Sequence, residues 1–504
     1  MSRHWKIIIA LAGLFLLIAS SAVVSLRIQP GSELENYQQL LRQRGEKLTL
    51  AELLPPPATA EDNSADLFQT AVGLFNTGMD NYAAMQMVGP GRAAVCWRQA
   101  DVRSSDFTNT WEQYRAEVEA DRPAVEVLHQ ILERPRLDFQ LDYAQGASLR
   151  ISHLAAMKRA AQKLEAAVQL DLHDGQPGAA STNLLTMLAM VQRDYRDDLL
   201  IGHLVRAAIT AVAISPTWEF LQATNATDAQ LAAVQKSWQQ LNFLKDAENV
   251  FAMERDWCST EIEQYRSSHE NFKQLSSGFM AARSGSGGGS DWDSITIGAR
   301  LVVAEGMWRS SWSYSQELQT IQRCQMILET LRAMQTNDSQ FYKADYDAMA
   351  GRLSALGGTN LNGAVFRALQ VPDFQDYFGG ASWGATLRKT LQIETARRVV
   401  VTAVALKRFQ LKHGKLPETL GELAPEFLPS APIDPFDGKP LKYHPGEDGV
   451  FLLYSVGEDG TDDGGDAGST SSANWYWLRA RDWVWPQPAT PAEAQFFYDH
   501  PPRR

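Results

Sequence analysis

Residues 151–191 read ISHLAAMKRAAQKLEAAVQLDLHDGQPGAASTNLLTMLAMV, two apolar segments around a short polar turn. In both segments the apolar residues recur with the 3.6-residue period of an amphipathic helix. The sequence DGQPG at 174–178 has the composition of a turn. The pattern therefore predicts two antiparallel helices. Their apolar stripes are Ile151, Leu154, Ala161, Leu164 and Val168, followed by Leu184, Leu188, Val191 and Tyr195.

The same helical period continues outward over residues 33–390, without a fixed repeat length. Thr49 with Glu52, and Thr227 with Gln230, have the spacing of capping boxes that open helices. A helix is also predicted from Leu199 to Ile214, ending at Pro216 because proline lacks the backbone N–H. Short loops between successive helices predict a mainly α fold, either a helical bundle or a solenoid-like stack.

The composition excludes some classes of function. The 504 residues carry 47 basic and 59 acidic side chains, a formal charge of −12. Nucleic-acid binding requires a basic face that neutralises phosphates, so we expect no nucleic-acid partner. The three cysteines are too far apart for a CxxC site, and Cys258 and Cys324 are the more plausible pair if a disulfide forms.

No local motif for catalysis stands out in the helical region. The HExxH, P-loop, GxSxG and EF-hand patterns are absent from the sequence. His129, His153, His173 and His203 are interpreted as surface or core-edge residues. Glu261 and Glu263 near His269 come closest to an acid–base group, but helical residues two apart do not share a face.

The N-terminus predicts the cellular location. Residues 7–26 contain no charge and span ~30 Å as a helix, the thickness of the hydrocarbon core of a bilayer. Basic residues precede the segment and acidic ones follow it, which predicts a cytoplasmic N-terminus and an extracytoplasmic, periplasmic chain. Residues 1–28 are thus interpreted as a single-pass anchor in a bacterial inner membrane. A cleaved signal segment and a buried soluble helix are the alternatives.

One segment interrupts the helical pattern. Residues 284–290 read SGSGGGS and lie within a predicted flexible loop at 276–291. This loop either divides two helical subdomains or projects from one bundle, and the sequence leaves both interpretations open.

The pattern changes near residue 391. A helix is expected to end at His413-Gly414, where glycine supplies the left-handed cap. Thr419 and Glu422 then form a third predicted capping box. Two strands, 441–444 and 450–455, are predicted to form a hairpin across PGEDG. Residues 391–485 therefore predict a small α+β module, and residues 486–504 a proline-rich tail.

Three stretches in this module occur in a recognisable order: KRFQLKHGKLPETLGEL, PIDPFDGKPLKYH and VFLLYSVGEDGTDDGGD, followed by Asn474-Trp475. They resemble the C-terminal half of the major pseudopilin of type II secretion. The resemblance implies a long helix, a three-stranded sheet and a calcium-binding loop. It covers under a fifth of the chain, and a pseudopilin-like domain does not by itself transfer an activity.

The resemblance also implies metal ligands. Asp459 matches the aspartate of the GxDG motif, and Asp466 matches the first of a downstream acidic pair whose second position is Ala467 here. Asp462 or Asp463 would replace that ligand, and the Val456 carbonyl would serve as a main-chain ligand. Oxygen donors on a glycine-rich backbone suit Ca²⁺; an acidic, solvated turn is the alternative interpretation.

Two further features limit the resemblance. The apolar N-terminal segment lacks the glutamate that follows the cleavage site of pseudopilins, so processing and assembly as a pilus subunit are not expected. The helical remainder, around 45–65, resembles uncharacterised membrane-anchored proteins of planctomycetes and verrucomicrobia, and this likeness indicates no function.

The aromatic residues near the C-terminus predict strands. Their alternate spacing suits strands that pack one face onto the module, and an exposed aromatic binding strip is the alternative. They are Trp475, Tyr476, Trp477, Trp483 and Trp485.

Taken together, these patterns predict a non-catalytic, membrane-anchored protein that acts in envelope organisation or binds protein partners. The alternatives are an accessory subunit of a type II secretion or pilus-like machine, and an envelope hydrolase whose site is assembled from distant residues.

Overall fold

A computed structural model describes most of the chain. The described residues are 31–76, 111–192, 194–195, 199–273, 302, 305–336, 340–356, 380–446, 449–466 and 481–488. The predicted anchor at 1–28, the loop at 276–291, Cys96 and the aromatic residues 475–477 lie outside them, as does the tail beyond residue 488.

The described chain is mostly helical, which confirms the mainly α fold class. The first helical stretch, α1, covers residues 31–43. The following helices are α2 (Leu50–Leu53), α3 (Ala65–Leu74), α4 (Trp111–His129), α5 (Ser152–His173), α6 (Pro177–Gln192), α7 (Leu200–Gln222), α8 (Asp228–Gln240), α9 (Phe243–Ser267), α10 (Ser313–Thr336), α11 (Tyr342–Leu356) and α12 (Gly380–His413). The strands are β1 (Arg136–Leu137), β2 (Asp194–Tyr195), β3 (Lys442–Pro445), β4 (Phe451–Ser455) and β5 (Trp483–Val484).

The predicted helix pair at 151–191 is present as α5 and α6, joined by a turn in which Gly175 has a φ of 69°. One residue of the predicted stripes lies elsewhere. Tyr195 belongs to β2, which pairs in parallel with β1, because α6 already ends at Gln192. The pairing partner is some 60 residues away in sequence, so local periodicity does not indicate this short strand.

The prediction that a helix stops at Pro216 is wrong. Helix α7 continues through Pro216 to Gln222. Pro216 removes the N–H that would bond to the Val212 carbonyl, and the Thr217 hydroxyl donates to the adjacent Ala213 carbonyl at 2.7 Å. Burial of Pro216 and its neighbours in the core stabilises the helix despite the missing N–H.

Among the described residues, α7 alone is long and apolar enough to cross a membrane, with a mean hydropathy of 1.4 over its most apolar 18 residues. More than half of its most apolar stretch is buried inside the protein. Core helices share this composition, so α7 packs here as an interior helix against α5 and α6.

The chain folds into two compact units built from non-contiguous segments. The first unit contains residues 1–54, 251–329 and 349–385. In it, Leu34 and Leu41 of α1 pack with Ile321 of α10. The second unit contains residues 55–250, 330–348 and 386–504, and therefore holds α5, α6 and α7 together with the C-terminal sheet.

The C-terminal sheet is antiparallel, in the order β3-β4-β5. The predicted hairpin is present, with Tyr443 opposite Leu453 and His444 opposite Leu452. Strand β5 pairs with the other edge of β4, and its Trp483 is almost fully buried. Trp485 is buried as well. The two tryptophans of the C-terminal aromatic group that the structure describes therefore pack onto the module, as predicted.

Within the second unit, hydrogen bonds and an ion pair connect the module to helices that are distant in sequence. The Trp218 indole N–H of α7 donates to the Pro486 carbonyl at 2.6 Å. Gln235 of α8 donates to the Phe427 carbonyl, and Arg408 of α12 pairs with Asp228 at 2.7 Å. These contacts make residues 386–488 part of a larger core.

Candidate functional site

The acidic loop follows β4 directly. Gly457 turns the chain with a φ of 70°, and a Cβ added there would lie 2.5 Å from the Arg481 carbonyl oxygen. Gly464 also has a positive φ, of 74°, but has open space around it. The loop can therefore fold tightly against β5 only because a residue without a side chain stands at position 457.

The structure shows where the predicted ligands lie. Asp459, Asp462, Asp463 and Asp466 are all exposed. Asp459 accepts a hydrogen bond from the N–H of Thr461 within its own turn, at 2.9 Å. Asp466 lies 3.4 Å from the Arg481 guanidinium. These carboxylates lie on the same loop, and their partners lie both within the loop and outside it.

Asp462 is held by three groups. Its Oδ1 accepts from the Tyr454 hydroxyl at 2.8 Å and from the Gly464 N–H at 3.1 Å, while Lys442 lies 3.6 Å from Oδ2. Desolvation acts to raise the pKa of Asp462, but these hydrogen bonds and the lysine outweigh it and hold the pKa below its ordinary value. Asp462 is therefore charged at neutral pH.

Val456 lies at the end of β4 and is buried. Its N–H donates to Oδ2 of Asp434 at 2.9 Å, which orients the strand end against the preceding turn. The sequence analysis did not single out Asp434, the acceptor in this contact, as a site residue.

Asp434 is a fully buried carboxylate. It accepts hydrogen bonds from the N–H groups of Phe436 and Val456, both at 2.9 Å, and from the Ser455 hydroxyl at 3.0 Å. Burial raises the pKa of Asp434 to about 6 even though these three donors favour the charged form. Asp434 thus joins the turn at 434–437 to the end of β4.

Asp482 is a second fully buried carboxylate, and sequence reasoning did not single it out. It accepts from the N–H groups of Gly465 at 2.8 Å, Asp466 at 3.1 Å and Asp463 at 3.4 Å. Burial raises the pKa of Asp482, and these hydrogen bonds act in the opposite direction. The backbone of the acidic loop is therefore organised around a carboxylate supplied from just before β5.

The oxygen donors of this loop have the chemistry that calcium prefers. In the part of the chain that the structure describes, however, no three His, Cys, Asp or Glu side chains are grouped closely enough to hold a metal ion. The predicted ligands Asp459, Asp462, Asp463 and Asp466 are thus neighbours on one loop without converging on one point. Calcium binding there stays a prediction.

A second polar cluster lies in the first unit. His269 Nδ1 is 2.8 Å from both carboxylate oxygens of Glu305. Arg309 donates to Glu305 at 2.9 Å and also to the Arg266 and Ser267 carbonyls at the end of α9. The His269 side chain is 65% exposed, so a held carboxylate orients a solvent-accessible imidazole.

In the sequence, Glu261 and Glu263 came closest to forming an acid–base group with His269. The structure places Glu305 there instead, more than 30 residues further along the chain. Arg266 connects this cluster to Glu317 at 2.8 Å, and the Ser259 hydroxyl donates to the same carboxylate. Tyr314 lies under the Arg266 guanidinium at 4.0 Å.

Buried polar residues also lie in the helical part of the second unit. The Tyr114 hydroxyl donates to Gln169 at 2.7 Å, and Gln169 donates to Glu219 at 3.1 Å. No hydrogen-bond donor among the described residues reaches Glu219 Oε2. Burial raises the pKa of Glu219 to about 8; the bond from Gln169 lowers it and the charge of Glu165 adds to the rise.

His203 was interpreted from the sequence as a surface or core-edge residue, but the structure places it in the interior. It is 1% exposed, and its Nε2 lies 2.9 Å from the Thr390 hydroxyl oxygen. Burial lowers the pKa of His203 to about 3, and nearby Arg206 lowers it further. The imidazole is therefore neutral at physiological pH.

Cys258 and Cys324 are both buried and both free thiols. Burial raises the pKa of each thiol, so neither is an activated thiolate. The structure thus shows the suggested cysteine pair in its reduced form.

Comparisons with known proteins give no independent assignment. No protein-family model, no curated protein and no solved structure matches this chain.

Proposed function

We propose that this protein is a membrane-anchored, extracytoplasmic and non-catalytic component of the bacterial envelope, whose pseudopilin-like module binds calcium and a protein partner. The observation that carries the proposal is the acidic loop of the module. It presents the exposed carboxylates of Asp459, Asp462, Asp463 and Asp466 beside a sheet held by Asp434.

The location rests on the N-terminal sequence. The charge-free segment at 7–26, with basic residues before it, favours one membrane crossing with the remaining chain in the periplasm. Fractionation of cells expressing the full chain tests this directly. Recovery in the soluble periplasmic fraction would indicate a cleaved signal segment instead.

The order of elements supports the resemblance to the module of the major pseudopilin. Helix α12 ends at His413, the antiparallel strands β3, β4 and β5 follow, and the acidic loop connects the last two. This is the arrangement that the motif order implies, although no solved structure matches the chain.

The calcium proposal rests on charge. Four carboxylates of the loop lie within eight residues, and the buried Asp482 contributes a fifth nearby. Of the described cations, Lys442 lies 3.6 Å from Asp462, and Arg481 lies 3.4 Å from Asp466. A bound divalent cation would offset the remaining repulsion and draw the exposed carboxylates together.

The experiment is thermal unfolding of the detergent-solubilised full chain, with calcium and with a chelator. At 100-fold excess over Kd, binding to the folded state adds ~2.7 kcal/mol, so the midpoint should rise measurably. Asp459→Asn should abolish this rise. Asp228→Asn, which removes an exposed carboxylate paired with Arg408 outside the loop, should retain it.

Unchanged midpoints for the unmodified chain would contradict calcium binding, whatever the variants do. The partner is tested separately, by affinity purification of the full chain from membranes. Enrichment of secretion components would identify an accessory subunit of a secretion machine, while other envelope proteins would support the general interaction role.

A hydrolase is the second candidate function, and the His269–Glu305–Arg309 cluster favours it. A carboxylate that holds one imidazole nitrogen leaves the other free to act as a general base. Hydrolysis of generic ester or phosphoester substrates by the full chain, lost in His269→Asn and kept in His173→Asn, would support this role. Equal activity of the two variants would exclude His269 as the base.

A further inference from the structure

Lys163 of α5 has its ammonium group in the protein interior. Its Nζ lies 2.8 Å from Oδ2 of Asp121 on α4, and the two side chains are only 2% and 3% exposed. Removing both charges from water carries a large desolvation cost. The attraction between the two charges offsets this cost only in part. The pair is also separated from solvent, so water has little access to the contact.

The other oxygen of Asp121 is held separately. The backbone N–H of Asn76, just after α3, donates to Asp121 Oδ1 at 2.8 Å. The two carboxylate oxygens therefore have different environments. Oδ1 faces a fixed dipole that stabilises negative charge, while Oδ2 faces the amine.

A third group stands next to this pair. Glu117 precedes Asp121 by one turn of α4, so both lie on the same face of the helix. Its Oε2 is buried, and no donor among the described residues bonds to it. Burial raises the pKa of Glu117, and the charge of Lys163 lowers it.

We propose that Lys163 and Asp121 form an intramolecular amide bond that links α4 to α5. The Lys163 amine, having passed a proton to Oδ2, attacks the Asp121 carboxyl carbon and forms the C–N bond. Negative charge develops on Oδ1, which the Asn76 N–H stabilises. Glu117 takes the second proton from the nitrogen and delivers it to Oδ2, the C–Oδ2 bond breaks, and one water molecule leaves.

This step needs no oxidant, cofactor or activated acyl group, because water is the only product besides the amide. Positioning within the folded chain replaces a bimolecular encounter, and effective concentrations for well-aligned groups reach roughly 10⁵–10⁸ M. The amide also replaces two buried charges with a neutral group, so the low-polarity interior favours the product. Exclusion of water slows the reverse reaction.

The test is mass spectrometry of the denatured full chain. The cross-link predicts a mass lower than the sequence mass by one water molecule. Because processing at the N-terminus would also change the intact mass, digestion with tandem spectrometry is needed to find a branched peptide joining Asp121 to Lys163. The same peptides recovered separately and unmodified, from protein purified in the folded state, would overturn the proposal.

Three variants sharpen the result. Lys163→Arg should show no water loss, because the guanidinium does not form the amide, while Lys158→Arg, at an exposed position of the same helix, should retain the full loss. Glu117→Gln should start with unmodified mass after synthesis and gain the linkage more than tenfold more slowly. A purely structural role for Glu117 would leave that rate unchanged.

Discussion

In the second unit, buried carboxylates of the helical interior and of the C-terminal sheet receive their hydrogen bonds from different kinds of donor. In the helices, Asp171 pairs with the Asn183 side chain at 2.7 Å and with Arg122 at 3.3 Å. In the module, Asp434 and Asp482 are bonded mainly by backbone N–H groups.

The difference follows from backbone hydrogen bonding. Amides inside a helix already donate to the carbonyl four residues earlier, so a buried acid there depends on side chains of neighbouring helices. Loops and strand ends have amides without such partners, and a carboxylate can collect several of them. A buried acid therefore couples helices to one another in the first region and shapes a loop in the second.

The largest expected effect is on Asp434. Asp434→Ala leaves two buried N–H groups and the Ser455 hydroxyl without their acceptor, at a cost of about 3–5 kcal/mol in the free energy of unfolding. Urea unfolding at pH 7 measures it. Asp459→Ala, which removes one exposed contact, should cost under about 1 kcal/mol. Equal losses would show that the backbone donors of Asp434 contribute little.

The next expected effect is on the pH dependence of stability, and it comes from Glu219 in the helical interior. The folded pKa of Glu219 is about 8 and its ordinary value is 4.5, so the folded state binds more protons between these values. Stability should therefore fall as the pH rises through this window, by at most about 4–5 kcal/mol at ~1.4 kcal/mol per pKa unit. Glu219→Gln should remove this fall and be more stable than the unmodified chain at pH 9.

Urea unfolding at pH 5, 7 and 9 checks the Glu219 prediction. Glu112→Gln, at an exposed position of α4, is the matched control and should leave the pH dependence unaltered. Parallel pH curves for Glu219→Gln and the unmodified chain would show that Glu219 is not protonated in the folded state.

The smallest expected effect is the difference in stability between alanine substitutions at two glycines of the acidic loop. Gly457→Ala brings a Cβ within 2.5 Å of the Arg481 carbonyl oxygen in a left-handed conformation, and should cost about 2–3 kcal/mol. Gly464→Ala has the same backbone strain without the contact, and should cost about 1 kcal/mol. If thermal unfolding showed no difference between them, the close approach of β5 to position 457 would be wrong.

Local sequence patterns predicted the parts of the fold that depend on neighbours in the chain. The capping boxes of Thr49 and Thr227 are present, and in the second the Thr227 N–H donates to the Gln230 side-chain oxygen at 2.9 Å. Helix α12 ends where glycine was expected to end it, since Gly414 has a φ of 70°. These features involve groups within a few residues, so composition and spacing suffice to indicate them.

The candidate sites were less predictable. The loop acids could be listed from the sequence, but Asp482 could not be connected to them, because the contact depends on β5 pairing beside β4. The same holds for Glu305, which reaches His269 from 36 residues away. A solitary acid within a tryptophan-rich segment was the one available signal for Asp482.

By itself, the sequence determined the mainly α fold class, the caps and ends of individual helices, the β3–β4 hairpin and the acidic character of the loop. Tertiary structure alone decided that α7 continues through Pro216, that the module joins the core of residues 55–250, and which carboxylates are buried. The physical reason is the separation along the chain between the groups that interact. Hydrogen bonds within one turn are encoded by adjacent residues, whereas desolvation and ion pairing depend on what distant segments bring into contact.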